Sequence, residues 1–331
     1  MTDHDHSREV RHTVGAHGTI AVRAAAAHVR VRGVDGDEAR ALLRYSLRPS
    51  DDAAAARIEE EFLSRMRHGD GRLEVETAGG RRSASERLGP LGVIARAFGV
   101  AGDSRMELEL EVPRGAAVTI ETISGDVVAE ALGGPQSYRT ISGDVTVAGS
   151  GEMRVQTISG DVRVQGSGDT GLEWHSVSGD LRAAAPQLRR VELDTMKGDA
   201  WLEGHFSSEI EHRARSVSGD LRLAPTGGMT VQVRSVSGSA RSEVAHRMEG
   251  RPGSYMLMVG DASARFRFES MSGDVLVLAA EQAATATATG APAGAPATGE
   301  VSGHLDVLRA LERGEIDVDE AMQRIAAASR A

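Results

Sequence analysis

The hexapeptide Thr122-Ile123-Ser124-Gly125-Asp126-Val127 decides how this 331-residue chain is interpreted, because near-copies of it return as far as residue 275. Six further copies begin at Thr140, Thr157, Ser176, Ser216, Ser235 and Ser270, and a degraded eighth begins at Thr195. Their glycines are 18, 17, 19, 19, 21, 19 and 35 residues apart, and the last interval is close to two periods. A repeat near 20 residues indicates stacked units that bury a core only together.

Each copy is predicted to be a turn between two short strands. In Val155–Val164 the apolar parity switches at Gly160, as expected where two half-buried strands meet. Glycine permits the positive φ of such a turn, and Asp hydrogen-bonds nearby amides. Propeller blades need about 40 residues. We therefore predict a mainly β, single-domain β-solenoid (β-helix) of about 17–21 residues per coil, with an N-terminal-side helix and a small C-terminal α-hairpin.

Three columns of side chains are expected along the stack. The serine column is predicted to face solvent because one copy carries Lys197 there, and the Thr/Ser column is placed at the corner, with hydroxyls bonding along the ladder. The remaining column is apolar in every copy and is predicted to face the core. It consists of Ile123, Ile141, Ile158, Val177, Met196, Val217, Val236 and Met271.

A file of aspartates follows the glycines. Carboxylates stacked about 4.8 Å apart suit Ca²⁺, but the Gly-Gly-x-Gly-x-Asp nonapeptide of calcium-binding repeats is absent. Turn chemistry is therefore the preferred interpretation, and no metal or other cofactor is predicted. The predicted structural turn residues are Gly125, Asp126, Gly143, Asp144, Gly160, Asp161, Gly179, Asp180, Gly198, Asp199, Gly219, Asp220, Gly273 and Asp274.

These Ser-Gly-Asp repeats, preceded by the strand Leu110–Ala116 with its Val-Pro step, resemble the bacterial "putative adhesin" family of β-strand-repeat proteins of unknown function. The resemblance extends over roughly residues 14–280. It implies a β-solenoid without established catalysis, and the family supplies no catalytic residue to carry over.

Composition narrows the function classes. The chain has 38 basic and 48 acidic residues, and this net charge of −10 disfavours nucleic acid as a partner. Cysteine is absent, which excludes disulfides and thiolate metal sites. No run of 18 apolar residues and no apolar N-terminal segment occurs, so we predict no transmembrane segment and a cytoplasmic location.

The predicted organisation is a disordered tail at 1–12, the solenoid at 13–280, a flexible linker at 281–301 and a helical hairpin at 302–331. Within the solenoid, Ile58, Phe62 and Met66 have helical spacing and predict a helix over about 52–66 that caps the N-terminal end. Residues 31–37 are interpreted as a divergent repeat, and residues 254–261 as a coil that lacks the full motif.

The insertion at 79–104 holds the most apolar stretch outside the repeats. Long insertions in compact domains are often functional, and this one is interpreted as a lid, a peripheral membrane contact or a protein-docking loop. Its candidate interaction residues are Leu88, Leu91, Val93, Ile94 and Phe98.

Within the last 30 residues, the run Leu308–Ala321 resembles SHOCT-like helical hairpins, with a leucine-rich helix, a Gly-x-Ile turn and an acidic second helix. So short a unit needs a partner or self-association to bury its apolar side chains. Its candidate interaction residues are Leu305, Leu308, Leu311, Ile316, Met322 and Ile325.

The expected function is a non-enzymatic scaffold or protein-interaction protein, to which the resemblance adds a regulatory or envelope-stress link. The alternative is an adhesin or a carbohydrate-binding or carbohydrate-processing β-helix protein, which needs paired carboxylates in a cleft or a sugar-stacking patch. Trp174 and Trp201 form such a patch if both face solvent. A core position for Trp174, with His175 outside it, is the preferred interpretation.

Overall fold

The computed structural model of the protein describes residues 4–47, 52–77, 106–251 and 253–280. In these ranges the chain forms 22 strands and one helix. They are β1 (His4–Thr13), β2 (Thr19–Ala26), β3 (His28–Val34), β4 (Glu38–Leu47), α1 (Asp52–Arg65), β5 (Arg67–Gly69), β6 (Arg72–Thr77), β7 (Met106–Pro113), β8 (Ala117–Ser124), β9 (Val127–Leu132), β10 (Gln136–Ser142), β11 (Val145–Ser159), β12 (Val162–Ser178), β13 (Leu181–Lys197), β14 (Ala200–Phe206), β15 (Glu211–Ser218), β16 (Leu221–Pro225), β17 (Met229–Ser235), β18 (Ala240–Ser242), β19 (His246–Arg251), β20 (Ser254–Val259), β21 (Ala264–Ser270) and β22 (Val275–Val277).

The strands form two rows that meet at the repeated turns. Row A holds the strands before the turns, in the order β5, β6, β2, β8, β10, the second halves of β11 to β13, β15, β21, β17, β20 and β19. Row B holds those after the turns, in the order β1, β4, β7, β3, β9, the first halves of β11 to β13, β14, β16, β22 and β18. Because β11, β12 and β13 run through both rows, all 22 strands belong to one sheet.

Neighbouring repeats pair in parallel and in register. Thr122 lies opposite Thr140, and Thr140 lies opposite Thr157. Residues that face inward from the two rows share one hydrophobic core, which includes Trp174 and Phe266. The predicted parity switch is confirmed, since Val155 and Thr157 are buried before the turn, and Val162 and Val164 after it. The described chain is therefore mainly β, as predicted, with all 22 strands in a single large sheet.

The apolar column does not face the core as predicted. The alternation that buries Ile120 also buries Thr122, so the Thr/Ser column faces inward and the apolar column faces outward. Thr122 Oγ1 donates to Thr140 Oγ1 at 3.0 Å, whereas the hydroxyls of Thr157 and Thr195 are buried without a protein partner. Strand parity thus overrides the preference of isoleucine for the interior.

The N-terminal end differs from its prediction in two ways. Residues 4–12 are not a disordered tail, because β1 pairs antiparallel with β4 along its whole length. Hydrogen bonds and ion pairs from Arg40 and Arg11 lower the pKa of Glu9 on this edge strand to about 2. Residues 31–37 are also not a repeat turn, because the corner aligned with Gly125 is Ala27, between β2 and β3. Charged side chains on an edge strand conceal the alternation that identifies inner strands.

Helix α1 connects β4 to β5 and lies at the N-terminal end, as predicted for a capping helix. Phe62 is buried in the core, and Ile58 and Met66 pack against it. Tyr45 Oη donates to Glu59 Oε1 at 3.1 Å, which ties the helix to row B. No helix in the described part of the chain is long and apolar enough to cross a membrane.

The C-terminal end departs from chain order. Strand β21 is inserted between β15 and β17, and β22 is likewise inserted between β16 and β18. The turn at Gly273 therefore lies between the turns at Gly219 and Gly238. Residues 254–261 are not a coil, because β20 pairs antiparallel with β17 and β19. The 35-residue interval contains this β-hairpin instead of a further period.

Candidate functional site

The outward-facing apolar column forms a continuous ridge along row A. In spatial order it runs Ile123, Ile141, Ile158, Val177, Met196, Val217, Met271 and Val236. Seven intervals of about 4.8 Å give a length of about 34 Å. We call these eight residues the apolar ridge. Contiguous outward apolar surface of this kind marks an interaction site more often than scattered apolar residues do.

The backbone under the ridge is held by the neighbouring serine column. Ser142 Oγ donates to the carbonyl of Ile123 at 3.4 Å, and Ser218 Oγ donates to that of Met196 at 3.4 Å. Ser237 Oγ donates to the carbonyl of Met271 at 3.2 Å at the far end. The ridge side chains are thus presented by a backbone whose polar groups have partners across the coil boundary.

Exposure along the ridge rises sharply at its C-terminal end. Ile158 is 8% exposed, whereas Met271 is 49% and Val236 is 81% exposed. Met256, on the outward side of β20, is 39% exposed. We call Val236, Met256 and Met271 the terminal patch. It holds three of the six large apolar side chains that are exposed in the described part of the chain.

Arginines accompany the terminal patch on the same outward side of row A. Arg234 reaches Glu269 only at 3.9 Å. Arg251 lies opposite Ser254, and Arg265 lies opposite Thr230. Neither Arg251 nor Arg265 forms an ion pair with any residue in the described ranges. The end of the stack therefore offers apolar side chains beside exposed guanidinium groups.

The aspartate file has a structural partner at each step. The backbone N–H of Asp144 donates to Asp126 Oδ1 at 3.0 Å, and that of Asp161 donates to Asp144 Oδ1 at 2.9 Å. The pattern continues to Asp274, whose Oδ1 accepts from the N–H of Ser239 at 2.7 Å. These carboxylates satisfy turn amides, as the turn-chemistry interpretation requires. No cluster of three or more His, Cys, Asp or Glu side chains suited to a metal occurs among the described residues.

The turn glycines allow neighbouring coils to approach closely. A Cβ atom at Gly160 would lie 2.2 Å from the carbonyl oxygen of Gly143, and the φ angle of Gly160 is +148°. A Cβ at Gly198 would lie 2.0 Å from the carbonyl oxygen of Gly179. No other residue fits these positions without moving the backbone. The predicted Gly and Asp turn residues thus form one ladder along the corner.

A cluster of ionisable side chains lies on the outward face of row A. His175 contacts Glu173 at 3.0 Å and Asp194 at 3.5 Å. Burial raises the pKa of Glu173, but hydrogen bonds from His175 and Arg154 lower it further, so the net shift is downward. Burial raises the pKa of Asp194. Opposed shifts are typical of acid–base pairs, yet this cluster lies on a flat face and continues through Arg215 into a file of ion pairs.

One shallow pocket of about 360 Å³ opens at the corner opposite the turns. Glycines 133, 134 and 151 line it together with Glu152, Asp169 and Arg189. Glu152 and Arg189 are ion-paired at 2.6 Å, and both are more than half exposed. An open, glycine-lined pocket with a paired carboxylate lacks the desolvated groups that acid–base catalysis needs.

The two tryptophans do not form a common surface. Trp174 is fully buried in the core, and His175 lies outside it, as preferred. Trp201 is half-buried on the outward side of row B, where the Arg182 guanidinium lies 5.8 Å from its ring centroid. The hypothesis of a sugar-stacking patch made from both rings is therefore wrong.

The eleven candidate interaction residues predicted from the sequence lie outside the described residues, in the predicted insertion at 79–104 and the predicted C-terminal hairpin. The apolar ridge and the terminal patch were not predicted as interaction surfaces. The signal for the ridge was present, because Ile123 has the same parity as the polar Glu121. The apolar character of the column instead predicted an inward position.

With the fold in view, the family can be stated. A family model described as Toastrack DUF4097 matches residues 92–289, and the chain belongs to this family. No curated protein matches the chain.

Solved structures are similar over most of the chain but only distantly. A structure named "putative adhesin" from Bacteroides fragilis has 11% identity and a TM-score of 0.35, and the match covers 83% of this chain and 97% of that one. A "putative cell adhesion protein" from Clostridium sporogenes has 11% identity, coverage of 83% and 100%, and a TM-score of 0.24. A "putative lipid binding protein" from Parabacteroides distasonis has 9% identity, coverage of 82% and 96%, and a TM-score of 0.28. At these TM-scores the similarities carry no argument about function.

Proposed function

We propose that this protein is a non-enzymatic scaffold, a β-solenoid rod that presents a long surface to protein partners and carries a tethered docking or oligomerisation hairpin. The observation that carries the proposal is the apolar ridge, whose eight side chains lie at regular spacing along one edge of row A and are most exposed at its C-terminal end, with Met271 at 49% and Val236 at 81%. Repeat proteins use extended surfaces of this kind for binding.

The corner ladder supports a rigid rod. Each turn amide from Asp144 to Asp220 donates to the carboxylate of the preceding turn, and each turn glycine contacts the preceding backbone. A surface fixed in this way loses little conformational freedom on binding, which favours affinity. The ridge residues accordingly need no ordering step before they contact a partner.

The non-enzymatic assignment rests on the described ionisable groups. The Glu173–His175–Asp194 cluster is flat, and the carboxylate of Glu152 is engaged by Arg189. Both are better explained as ion pairs than as acid–base machinery. The sequence-based expectation of a cytoplasmic location is kept as part of this proposal.

An adhesin is the second candidate function. The names of similar solved structures include "putative adhesin". Half-buried Trp201, flanked in register by Arg182 and Arg222, is the described surface that best suits a glycan on such a protein. A Trp201→Ala variant that loses binding to a glycan array favours the adhesin over the scaffold.

Light scattering coupled to size-exclusion chromatography tests the scaffold proposal. Three proteins are compared: the full chain, a chain ending at Ala280, and the full chain with Leu308→Ser and Leu311→Ser. Self-association through the hairpin predicts an oligomeric full chain and two monomeric variants, whereas docking of the hairpin within its own chain predicts three monomers. Circular dichroism should show unchanged β content in every case. If all three are monomers, self-association through the hairpin is wrong. If the chain ending at Ala280 is oligomeric as well, the subunits associate through the rod and not through the hairpin.

A further inference from the structure

We propose that the terminal patch is the docking site for the C-terminal segment 302–331 of the same chain. This inference rests on the proposed function only in taking 302–331 as a tethered helical unit. It assigns to the most exposed apolar side chain of the described residues, Val236, a specific occupant.

Two of the three patch side chains are direct neighbours, and Met256 lies opposite Gln232, four residues before Val236 along β17. Val236 and Met271 lie side by side, because the N–H of Val236 donates to the carbonyl of Ser270 and that of Ser237 donates to the carbonyl of Met271. In the middle of the stack each ridge side chain has a neighbouring coil on both sides. Val236 has a coil on one side only, since β17 is followed in row A by the antiparallel hairpin β19–β20. A further apolar element is therefore needed to cover it.

The chemistry of segment 302–331 matches the patch. The spacing of Leu305, Leu308 and Leu311 predicts one helical stripe, which would need an apolar surface to bury it. Four acidic residues follow within six positions, at Glu315, Asp317, Asp319 and Glu320. Arg251 lies opposite Ser254, which lies opposite Arg234 near Val236, and it has no ion pair among the described residues, so it is available to such a run.

The tether has the length that docking within one chain requires. The turn that carries Met271 is followed by β22, and the chain from Asp274 to Ala280 extends at most about 20 Å. The Ala-, Gly- and Thr-rich linker 281–301 has 21 residues, and a flexible chain of that length has an r.m.s. span of about 25 Å. When the span and the linker length match, the effective concentration of the tethered segment is in the millimolar range. Docking within the chain therefore outcompetes a second copy at micromolar protein concentration.

Pulsed electron spin resonance between two labels tests the proposal in the full chain. The chain has no cysteine, so Ser237→Cys and Arg309→Cys give two unique attachment points. Ser237 is exposed and adjoins Val236. With labelled chains diluted into an excess of unlabelled chain, we expect a narrow distance population shorter than about 25 Å, the r.m.s. span of the free linker.

The added substitutions Val236→Ser and Met271→Ser are expected to lower the ratio of docked to undocked chains about tenfold or more. Both side chains are exposed, so the fold is retained. Ile210→Ser is the matched control, because Ile210 is also exposed, at 37%, but lies outside the patch, and it should leave the distance population unchanged.

Three outcomes overturn the proposal. They are identical distance distributions with and without the patch substitutions, an equal effect of Ile210→Ser, and loss of the short distance on dilution with unlabelled chain, which places the segment on a second copy. The light-scattering result is independent of all three. An oligomer that is lost on truncation, combined with an unchanged distance distribution, leaves the proposed function standing and removes only this docking site.

Discussion

The repeat turns at Ile158 and Val236 share the Ser-Gly step of the motif but have opposite surroundings. Ile158 is 8% exposed because the turns of Ile141 and Val177 lie on either side of it. Val236 is 81% exposed because its coil is the last of the stack. The comparison teaches that burial of a ridge side chain is a property of the neighbouring coils rather than of the repeat motif. The terminal copy is therefore free for other contacts.

The C-terminal end of the stack is formed by β17 and β18, which precede β21 and β22 in the chain. This order arises because β21 and β22 are inserted inside the stack. The turn at Gly238 precedes the turn at Gly273 in sequence but lies beyond it in space. The last described strand, β22, therefore lies between β16 and β18, which both precede it in the chain. The chain leaves the sheet from within the stack.

The largest effect is expected in the middle of the stack, where the corner ladder is unbroken. Gly160→Ala places a Cβ atom 2.2 Å from the carbonyl oxygen of Gly143 at a φ angle of +148°. We expect a loss of more than about 4 kcal/mol in the free energy of unfolding, measured by urea denaturation. Gly36→Ala is the control, because Gly36 has a φ angle of +131° with no atom within 4 Å. It should cost only about 1–2 kcal/mol of backbone strain. Equal losses would show that coil contact contributes nothing at the turn.

Truncation of the ridge side chains tests the comparison directly. We expect Ile158→Ala to lower the free energy of unfolding by about 2–3 kcal/mol, since it removes a buried side chain between two coils. In a chain ending at Ala280, Val236→Ser should change it by less than about 0.5 kcal/mol, because the side chain is 81% exposed among the described residues. Thermal unfolding of both variants gives the two values. A large loss for Val236→Ser would mean that this side chain is covered in solution.

Removal of one carboxylate measures the aspartate file. Asp161→Ala leaves the backbone N–H of Asp180 without its acceptor, and we expect a cost of about 1–2 kcal/mol in urea unfolding. Added Ca²⁺ should leave the wild-type unfolding midpoint unchanged, because each Oδ1 already accepts a turn amide. A midpoint that rises with Ca²⁺ contradicts the structural role assigned to these carboxylates.

The smallest effect is expected from pH at the C-terminal coils. His212 is fully buried, and burial lowers its pKa, although its contact with the Ser207 carbonyl acts in the opposite direction. The unfolded chain therefore binds the proton more readily than the folded chain. Stability should be unaffected above the ordinary histidine pKa of about 6.5 and should fall as the pH drops below it. His212→Phe should remove this part of the pH dependence, measured as the unfolding midpoint between pH 5 and 8. An unchanged pH profile would contradict the assignment.

Local features were predicted from the sequence because they depend on few residues. The parity switch at Gly160, the turn role of Asp161 and the helix that buries Phe62 all follow from periodicity and turn chemistry. The candidate site was missed because exposure of Val236 depends on which coil is last. The copy at Val236 carries Ser239 and Ala240 where the copy at Ile158 carries Asp161 and Val162, but these differences do not show which copy is last in space.

By itself the sequence determined the repeat, its period, the residues of the turn and the β character of the chain, since each is encoded by neighbours a few positions apart. Tertiary structure alone decided that the apolar column faces outward, that β1 pairs with β4, and that the turn at Gly273 lies between those at Gly219 and Gly238. These outcomes depend on hydrogen bonds between residues far apart in the chain. A repeating motif specifies that its copies stack, but it cannot specify their order or which copy ends the stack.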